Sequence, residues 1–452
     1  MSTRITEIKL HNFRAFQSEI TVRVRPITVL IGRNSAGKSS LLKFLLMLRQ
    51  TLESQGNDFF VTEGEHVHLG TWADLRNTRT RESSMIDSYF RYGFKMESED
   101  LPRPEVRQLW KAASRADIVK ENATNVVLHA ELLKQPPRKE SETGRFTVGG
   151  TVQYGSQFRY GRHDVECTSG NERLFAKSAR NLQGAGFLRF GRREESIANL
   201  LENVTAERFL EPLRHAFLSQ RHLSPIREES PQMVQMASPP ARDVGHRGEY
   251  AIPHLWRLSS QEGLKEQWDF VAQYAAAVAE VDNIEFKSQV TKLLTKVTAQ
   301  NRRTGATCSL GDFGFGVSQC LPIFVQGAMH VPGQLLLVEQ PEAQLHPTAQ
   351  LELGSFFAAL WAKRHVPSII ETHSGNVLLR LRKLVSQGVL SPDDVSVAYF
   401  HVDKVPRERG SPINAVCVQN LDIMQDGSTA KGLPMEFFGA DILEALEFGS
   451  KQ

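Results

Sequence analysis

The chain has 452 residues, too many for one compact core, so two or three lobes are expected at about 100–200 residues each. Hydrophobic residues make up 40% and charged residues 23%, which excludes a wholly disordered chain. Lys+Arg 54 against Asp+Glu 51 leaves +3, which argues against a polybasic nucleic-acid mode and leaves room only for a local basic groove.

Residues 4–10 (RITEIKL) and 19–24 (EITVRV) alternate apolar and polar positions and read as strands. After Pro26 comes an unbroken apolar run, 27–31 (ITVLI), which suits a strand buried on both faces. A glycine-rich turn follows, then KSSLLKFLLMLRQTLES with leucines and Met47 at helical spacing. Residues 77–300 are less regular and are interrupted by Pro-rich and charged pieces. A β-rich piece is expected over 146–161, with helical pieces near 194–219 and 261–298. Order returns after 308, with a buried strand at 335–338 (LLLV) and a helix over 347–363 opened by Pro347. Strands are expected at 368–371 (SIIE), 396–402 and 413–419, and the tail 432–448 reads as a turn and an amphipathic helix. No internal repeat and no long heptad run is present, which argues against a long coiled-coil arm.

The sharpest chemical signal is Gly32-Arg33-Asn34-Ser35-Ala36-Gly37-Lys38-Ser39, which fits GxxxxGK[ST] between a buried strand and a helix. In such a loop backbone N–H groups wrap phosphates, and the helix N-terminus adds its positive dipole end. Gly32, Asn34, Ser35, Ala36, Gly37, Lys38, Ser39 and Ser40 are therefore the candidate phosphate cradle. Lys38 would neutralise the β- and γ-phosphates of ATP, and the Ser39 hydroxyl would ligate Mg²⁺. The second signal is LLLVEQPEAQLHP at 335–347, where a buried strand ends in Glu339, the candidate Mg²⁺ carboxylate. Glu342 follows three residues on and His346 lies beyond.

With these motifs in order the chain resembles ABC-type ATPases of the RecF and OLD group, and in particular standalone anti-phage defence ATPases of the PARIS or Septu type. The segments that carry the resemblance are KLHNFRAF, the phosphate loop, VHLGTWADL, LSPIREESPQ, VGHRGEY, GDFGFGVSQCLPI, VEQPEAQLHP, ETHS and GLPMEFFG. The resemblance implies an α/β fold, an ABC-type P-loop ATPase core split by a long helical and β-rich insertion. Residues 1–76 would give the first half, 77–304 the insertion, 305–425 the second half and 426–452 a tail. It places Gly314, Gly316, Ser318 and Gln319 where such ATPases carry the signature that caps the γ-phosphate of a partner's ATP, although the sequence departs from LSGGQ. It gives His373 the role of the switch histidine.

At 340 the family's usual water-polarising glutamate is Gln340, whose amide orients water but accepts no proton at neutral pH. Three readings stand: a slow, ATP-held switch; Glu342 as the acting carboxylate; or a substitution that traps the ATP state. The implied partners are a second copy, with ATP at the interface of a dimer or an assembly of dimers, and a separate effector, expected to be a nuclease. The alternative is a RecF-like repair ATPase that binds DNA, and a third reading is a scaffold with unhydrolysed ATP.

His66 and His68 alternate on one strand face and read as an exposed pair rather than a metal site. Arg180, Arg189, Arg192 and Arg193 could track nucleic-acid phosphates, though a solvated charged face is the commoner meaning. Gly245, Gly248 and Glu249 match the family without derivable chemistry, and Asp393 and Asp394 have no partner for a built-in nuclease. Cys167, Cys308, Cys320 and Cys417 form no CxxC pair, so free thiols and a cytoplasmic location are expected. No stretch approaches the about 20 apolar residues of a membrane helix, and the N-terminus lacks a secretion signal.

Overall fold

The computed structural model describes residues 4–54, 60–75, 77, 89–98, 144–154, 159–169, 172–181, 214–235, 243–288, 294–405, 413–430 and 432. The chain forms two compact units: Arg25–Ser39 with Gln220–His401 and Gln419–Gln452, and Met1–Val24 with Ser40–Ser219 and Val402–Val418.

The first unit is built on an α/β sheet whose inner strands are β3 (Ile27–Gly32), β14 (Ser368–Glu371) and β13 (Leu336–Glu339). β8 (Arg221–Leu223) lies at one edge, with β15 (Val395–Val405) and then β16 (Ile413–Asp422) at the other. The order is β16-β15-β3-β14-β13-β8, and β15, β3, β14, β13 and β8 run parallel. The unbroken apolar run of β3 is buried at every position, as two covered faces require. The register aligns Ile27 with Ser368 and Leu336 with Ser368, so the carboxyl ends of β3, β14 and β13 stand side by side. In open α/β sheets that edge is where ligands bind. Residues 221–223, from the stretch expected to be an insertion, are thus an edge strand of this sheet.

Helices cover the sheet. They are α2 (Ala251–Ser260), α3 (Lys265–Ala279), α4 (Phe315–Met329), α5 (Pro347–Arg364) and α6 (Gly375–Ser386). Pro347 opens α5 at a position where its missing N–H costs nothing, and the His346 ring accepts from Thr348 N. Ser374 caps α6 by accepting from Val377 N. Phe356 on α5 is the hub of the core, with ring centroids 5.0 Å from Phe324, 5.2 Å from Tyr274 and 5.7 Å from Phe270. Gly354 lets α5 approach α6, since a Cβ there would meet Val377 O at 2.9 Å.

The helical piece expected near 261–298 is present only to Ala279, and the rest is corrected. Helix α3 stops at Ala279, because Glu280 adopts a left-handed φ of 56°, and two antiparallel strands follow, β10 (Val281–Ser288) and β11 (Leu294–Asn301). In β11 Val297 and Ala299 are buried at period two, a pattern that the neighbouring leucines and lysines mask in sequence. β12 (Thr307–Ser309) and β9 (Met233–Gln235) complete this small sheet.

The second unit carries an antiparallel sheet of order β2-β1-β4-β5-β6-β7: β1 (Arg4–His11), β2 (Ile20–Arg23), β4 (Tyr89–Ser98), β5 (Gly144–Tyr154), β6 (Arg159–Ser169) and β7 (Glu172–Asn181). The strands expected near the start and the β-rich piece at 146–161 are therefore present. From Ser40 onward α1 (Lys38–Glu53) belongs to this unit, where Phe44 packs on Phe13 at 5.2 Å and Phe94 at 6.1 Å. The expected helix near 194–219 lies outside the described residues except for 214–219, which is helical, and the tail helix lies outside them. No helix among the described residues is long and apolar enough to cross a membrane.

His330, just past α4, is buried, and burial pushes its imidazole down to about 4. The ring is neutral in the fold but protonates in the unfolded chain below pH 6.5, so the unfolded state binds more protons as pH falls. Stability is therefore full above about pH 6.5 and is lost toward pH 4, by about 2 kcal/mol between pH 7 and 5. Urea unfolding at the two pH values checks this, and His330→Asn should flatten the acid limb.

Candidate functional site

β3 hands its chain to the loop through Gly32, at φ 145°. A Cβ there would sit 2.2 Å from Phe400 O on β15, so only glycine fits. Arg33, Asn34 and Ser35 are exposed, Ser35 and Gly37 take positive φ, and Ala36 and Gly37 turn inward before α1 begins. The first N–H groups of α1 have no helical carbonyl to bond, so the loop offers donors to which an anion could bind. Lys38 is 3% exposed and folds back onto the loop, Nζ donating to Gly32 O and Arg33 O at 2.9 Å each. Burial lowers its pKa, while Glu371 and Glu342 oppose the shift. The Ser39 hydroxyl donates to Glu371, 3.0 Å from both carboxylate oxygens. Ser40 follows in α1, half-buried.

Three carboxylates face this cradle. Glu339 ends β13 and is the register partner of Glu371 at the end of β14. Its Oε1 lies 2.8 Å from His222 Nε2 on β8. Glu342 is 9% exposed, accepts from His373 N at 2.7 Å, and is pushed up in pKa by burial. Glu371 is 3% exposed, and burial first, then the Glu339 charge, push its carboxyl up to about 7 against the pull of Ser39 and Lys38. Gln340 holds a left-handed φ of 44°, with its N–H bonded to Glu371 O at 2.7 Å, so the turn after β13 is pinned to β14. The exposed His373 has its pKa lowered by desolvation first and then by the Lys38 charge.

The donors suit a hard cation. They are oxygens only, and clustered buried carboxylates beside a single ammonium repel one another until a cation joins them. Among the described residues no three His, Cys, Asp or Glu side chains converge as a ready metal cage. A cation held here would draw on Ser39, the strand-end acids and phosphate oxygens, as Mg²⁺ does.

The glycine-rich segment splits in two. Gly314 precedes α4, Phe315 is exposed, and Gly316 lies against the backbone of Gln344. Ser318 and Gln319 point inward instead. Ser318 Oγ accepts from Ser230 N at 2.9 Å. Gln319, 1% exposed, exchanges bonds with the backbone N–H and carbonyl of Arg227. The Arg227 guanidinium, itself 1% exposed, donates to Gln319 O at 3.0 Å and to Glu339 O at 2.7 Å.

Three residues here carried no role in the sequence reading: His222, Arg227 and Glu371. Glu371 alone left a signal, a carboxylate closing a fully buried strand beside ETHS. The weaker candidates resolve into structure. His66 pairs with Glu53 at 2.6 Å and His68 with Glu63 at 2.9 Å, so they share no ligand point. Asp393 pairs with Arg25 at 3.0 Å, and Asp394 accepts from Trp361 Nε1. Arg180 lies in β7, one residue before its end at Asn181, while Arg189, Arg192 and Arg193 lie outside the described residues.

Two family models match the sequence. One, described as "AAA ATPase domain", covers residues 4–128. The other, described as "AAA domain, putative AbiEii toxin, Type IV TA system", covers residues 124–380, more than half of the chain. No curated protein matches. Among solved structures, an SMC head bound to the C-winged helix domain of ScpA is 8% identical with TM-score 0.38, covering 93% of this chain and 98% of that one. A Smc head with an extended coiled coil, bound to the C-terminal domain of ScpA derived from Pyrococcus furiosus, is 9% identical with TM-score 0.35, covering 98% and 100%. The SMC head from Thermotoga maritima is 8% identical with TM-score 0.33, covering 91% and 98%. These are remote likenesses.

Proposed function

The chain belongs to the family described as "AAA domain, putative AbiEii toxin, Type IV TA system" and has a P-loop ATPase fold, and we propose that it is an ATP-held switch that hydrolyses slowly and controls a separate effector in anti-phage defence. The observation that carries the nucleotide reading is Lys38 and Ser39 at the start of α1, facing the Glu339–Glu371 pair. The Type IV TA wording of the family description supports a two-part defensive role.

ATP would supply the phosphoanhydride that water cleaves, and Mg²⁺ would neutralise charge on its β- and γ-oxygens. Lys38, which donates to the carbonyls of Gly32 and Arg33, would turn to phosphate oxygens, and Ser39 would hold the cation. Gln340 orients water by its amide, and Glu342, fixed by His373 N, is a carboxylate able to accept a proton. His373, exposed beside Lys38, reads the γ-phosphate. The exposed Gly314-Phe315 edge at the start of α4 is the face offered to a second copy, so the active form is a dimer or an assembly of dimers. Ser318 and Gln319 serve that face from behind by fixing α4 on the 227–230 segment.

Light scattering with and without Mg²⁺-ATP, beside steady-state hydrolysis, tests this reading. A nucleotide-dependent dimer with turnover below about 1 per second is expected, at the slow end for enzymes. An active monomer would sink the shared site, and Gln340→Glu should raise turnover if the amide is what slows it.

A further inference from the structure

We propose that the Mg²⁺ site of this chain is a two-carboxylate site in which Glu371 on β14 shares the cation with Glu339 on β13. The inference rests on the reading of the loop as a Mg²⁺-nucleotide site and names the acid that holds its serine.

The geometry divides the acidic work between two strands. A hydroxyl has one proton to give, and Ser39 gives it to Glu371, 3.0 Å from each carboxylate oxygen. The lone pairs of Ser39 are then left for a cation. Glu339, the acid that the sequence singled out, is held elsewhere: its Oε1 lies 2.8 Å from His222 Nε2, and Arg227 donates to its carbonyl at 2.7 Å. The two acids are nonetheless neighbours, because Glu339 and Glu371 are register partners in adjacent parallel strands, whose spacing is about 4.8 Å. Side chains at partnered positions lie on the same face of a sheet. A cation beside Ser39 therefore meets both carboxylates.

A purely structural tether for Ser39 would not need an ionisable acid. A neutral acceptor such as an amide oxygen would take the same proton without burying an acid at 3% exposure beside Glu339 and Glu342. Mg²⁺ commonly takes one or two carboxylates together with substrate phosphates, which is the donor set assembled here.

The test uses the full chain and the fluorescent N-methylanthraniloyl derivative of ATP, titrated with Mg²⁺ from an EDTA baseline. Glu371→Gln should raise the Mg²⁺ concentration at half-maximal tight binding by about 10–100-fold, the usual cost of losing a supporting group at a metal. Affinity in EDTA should stay equal or tighten, since one negative charge facing the phosphates is gone. Glu339→Gln should also raise the midpoint. Ser39→Ala combined with Glu371→Gln should cost less than the sum of the two, because the pair acts through one contact. If Glu371→Gln does not fold, Glu371→Asp serves, and its withdrawn carboxylate should raise the midpoint too. A midpoint within twofold of the parent's in the Glu371 variant, with Glu339→Gln impaired, would overturn the two-carboxylate site and leave the nucleotide reading standing. A parent that binds no nucleotide in Mg²⁺ would overturn both.

Discussion

Replacing Lys38 with alanine is expected to weaken nucleotide binding by about 100-fold or more, equivalent to about 3 kcal/mol, the upper end for hydrogen bonds to charged groups. The ammonium pulls the Glu371 carboxyl down in pKa, where Glu339 and Glu342 push the other way. Without it the phosphates of ATP would meet the Glu371 carboxylate with its main opposing charge gone. Lys38 is buried and spends its hydrogen bonds on two loop carbonyls, Gly32 O and Arg33 O, so its contribution is held ready for a ligand. A thermal melt should find the alanine variant folded, because the core of β3, β13 and β14 does not rest on this side chain. Titration with the fluorescent nucleotide reads the affinity, and a dissociation constant within threefold of the parent's would remove Lys38 from the site.

What the sequence shows and hides follows from the range of each interaction. The β3 run, the loop and α1 are contiguous, so strand, turn and helix are legible as one motif in 27–53. The buried strand at 335–338 is legible for the same reason, since an unbroken apolar run reports two covered faces, while 368–371 (SIIE) offers only the Ile369-Ile370 pair. Helix α5 is announced by Pro347 at its first position. The partners of the site are another matter. Ser39 finds Glu371 across 332 residues and His222 finds Glu339 across 117, pairings that parallel-strand order creates and no local period records. The segment after Ala279 fails in the opposite way. Its lysines and leucines suit a helix, yet the left-handed Glu280 ends α3 and period-two burial in β11 prevails.

Arg227 is where the largest loss of stability is expected. Its guanidinium is buried, and burial pushes its pKa down to about 10, which still leaves it charged at neutral pH. It donates to Glu339 O at the end of β13 and to Gln319 O in α4, while its own backbone N–H and carbonyl are bonded by the Gln319 amide. One residue thus ties the acidic strand end to the helix whose exposed edge would meet a second copy. Arg227→Met removes two charge-assisted bonds, one to the buried carbonyl of Gln319 and one to the part-buried carbonyl of Glu339, a loss of about 3–5 kcal/mol after relief of the buried charge. Arg227→Lys keeps the charge but lacks the planar fork that spans two acceptors, and should still lose about 2 kcal/mol. Urea unfolding of both variants reads these costs, and a loss below about 1 kcal/mol in the methionine variant would show that the carbonyls find other donors. If the lysine variant folds, it should bind nucleotide through Lys38 yet fail to form the ATP-dependent dimer, because α4 would no longer be registered on Glu339. A lysine variant that dimerises with ATP as the parent does would separate the two ends of this link and leave Arg227 a packing residue alone.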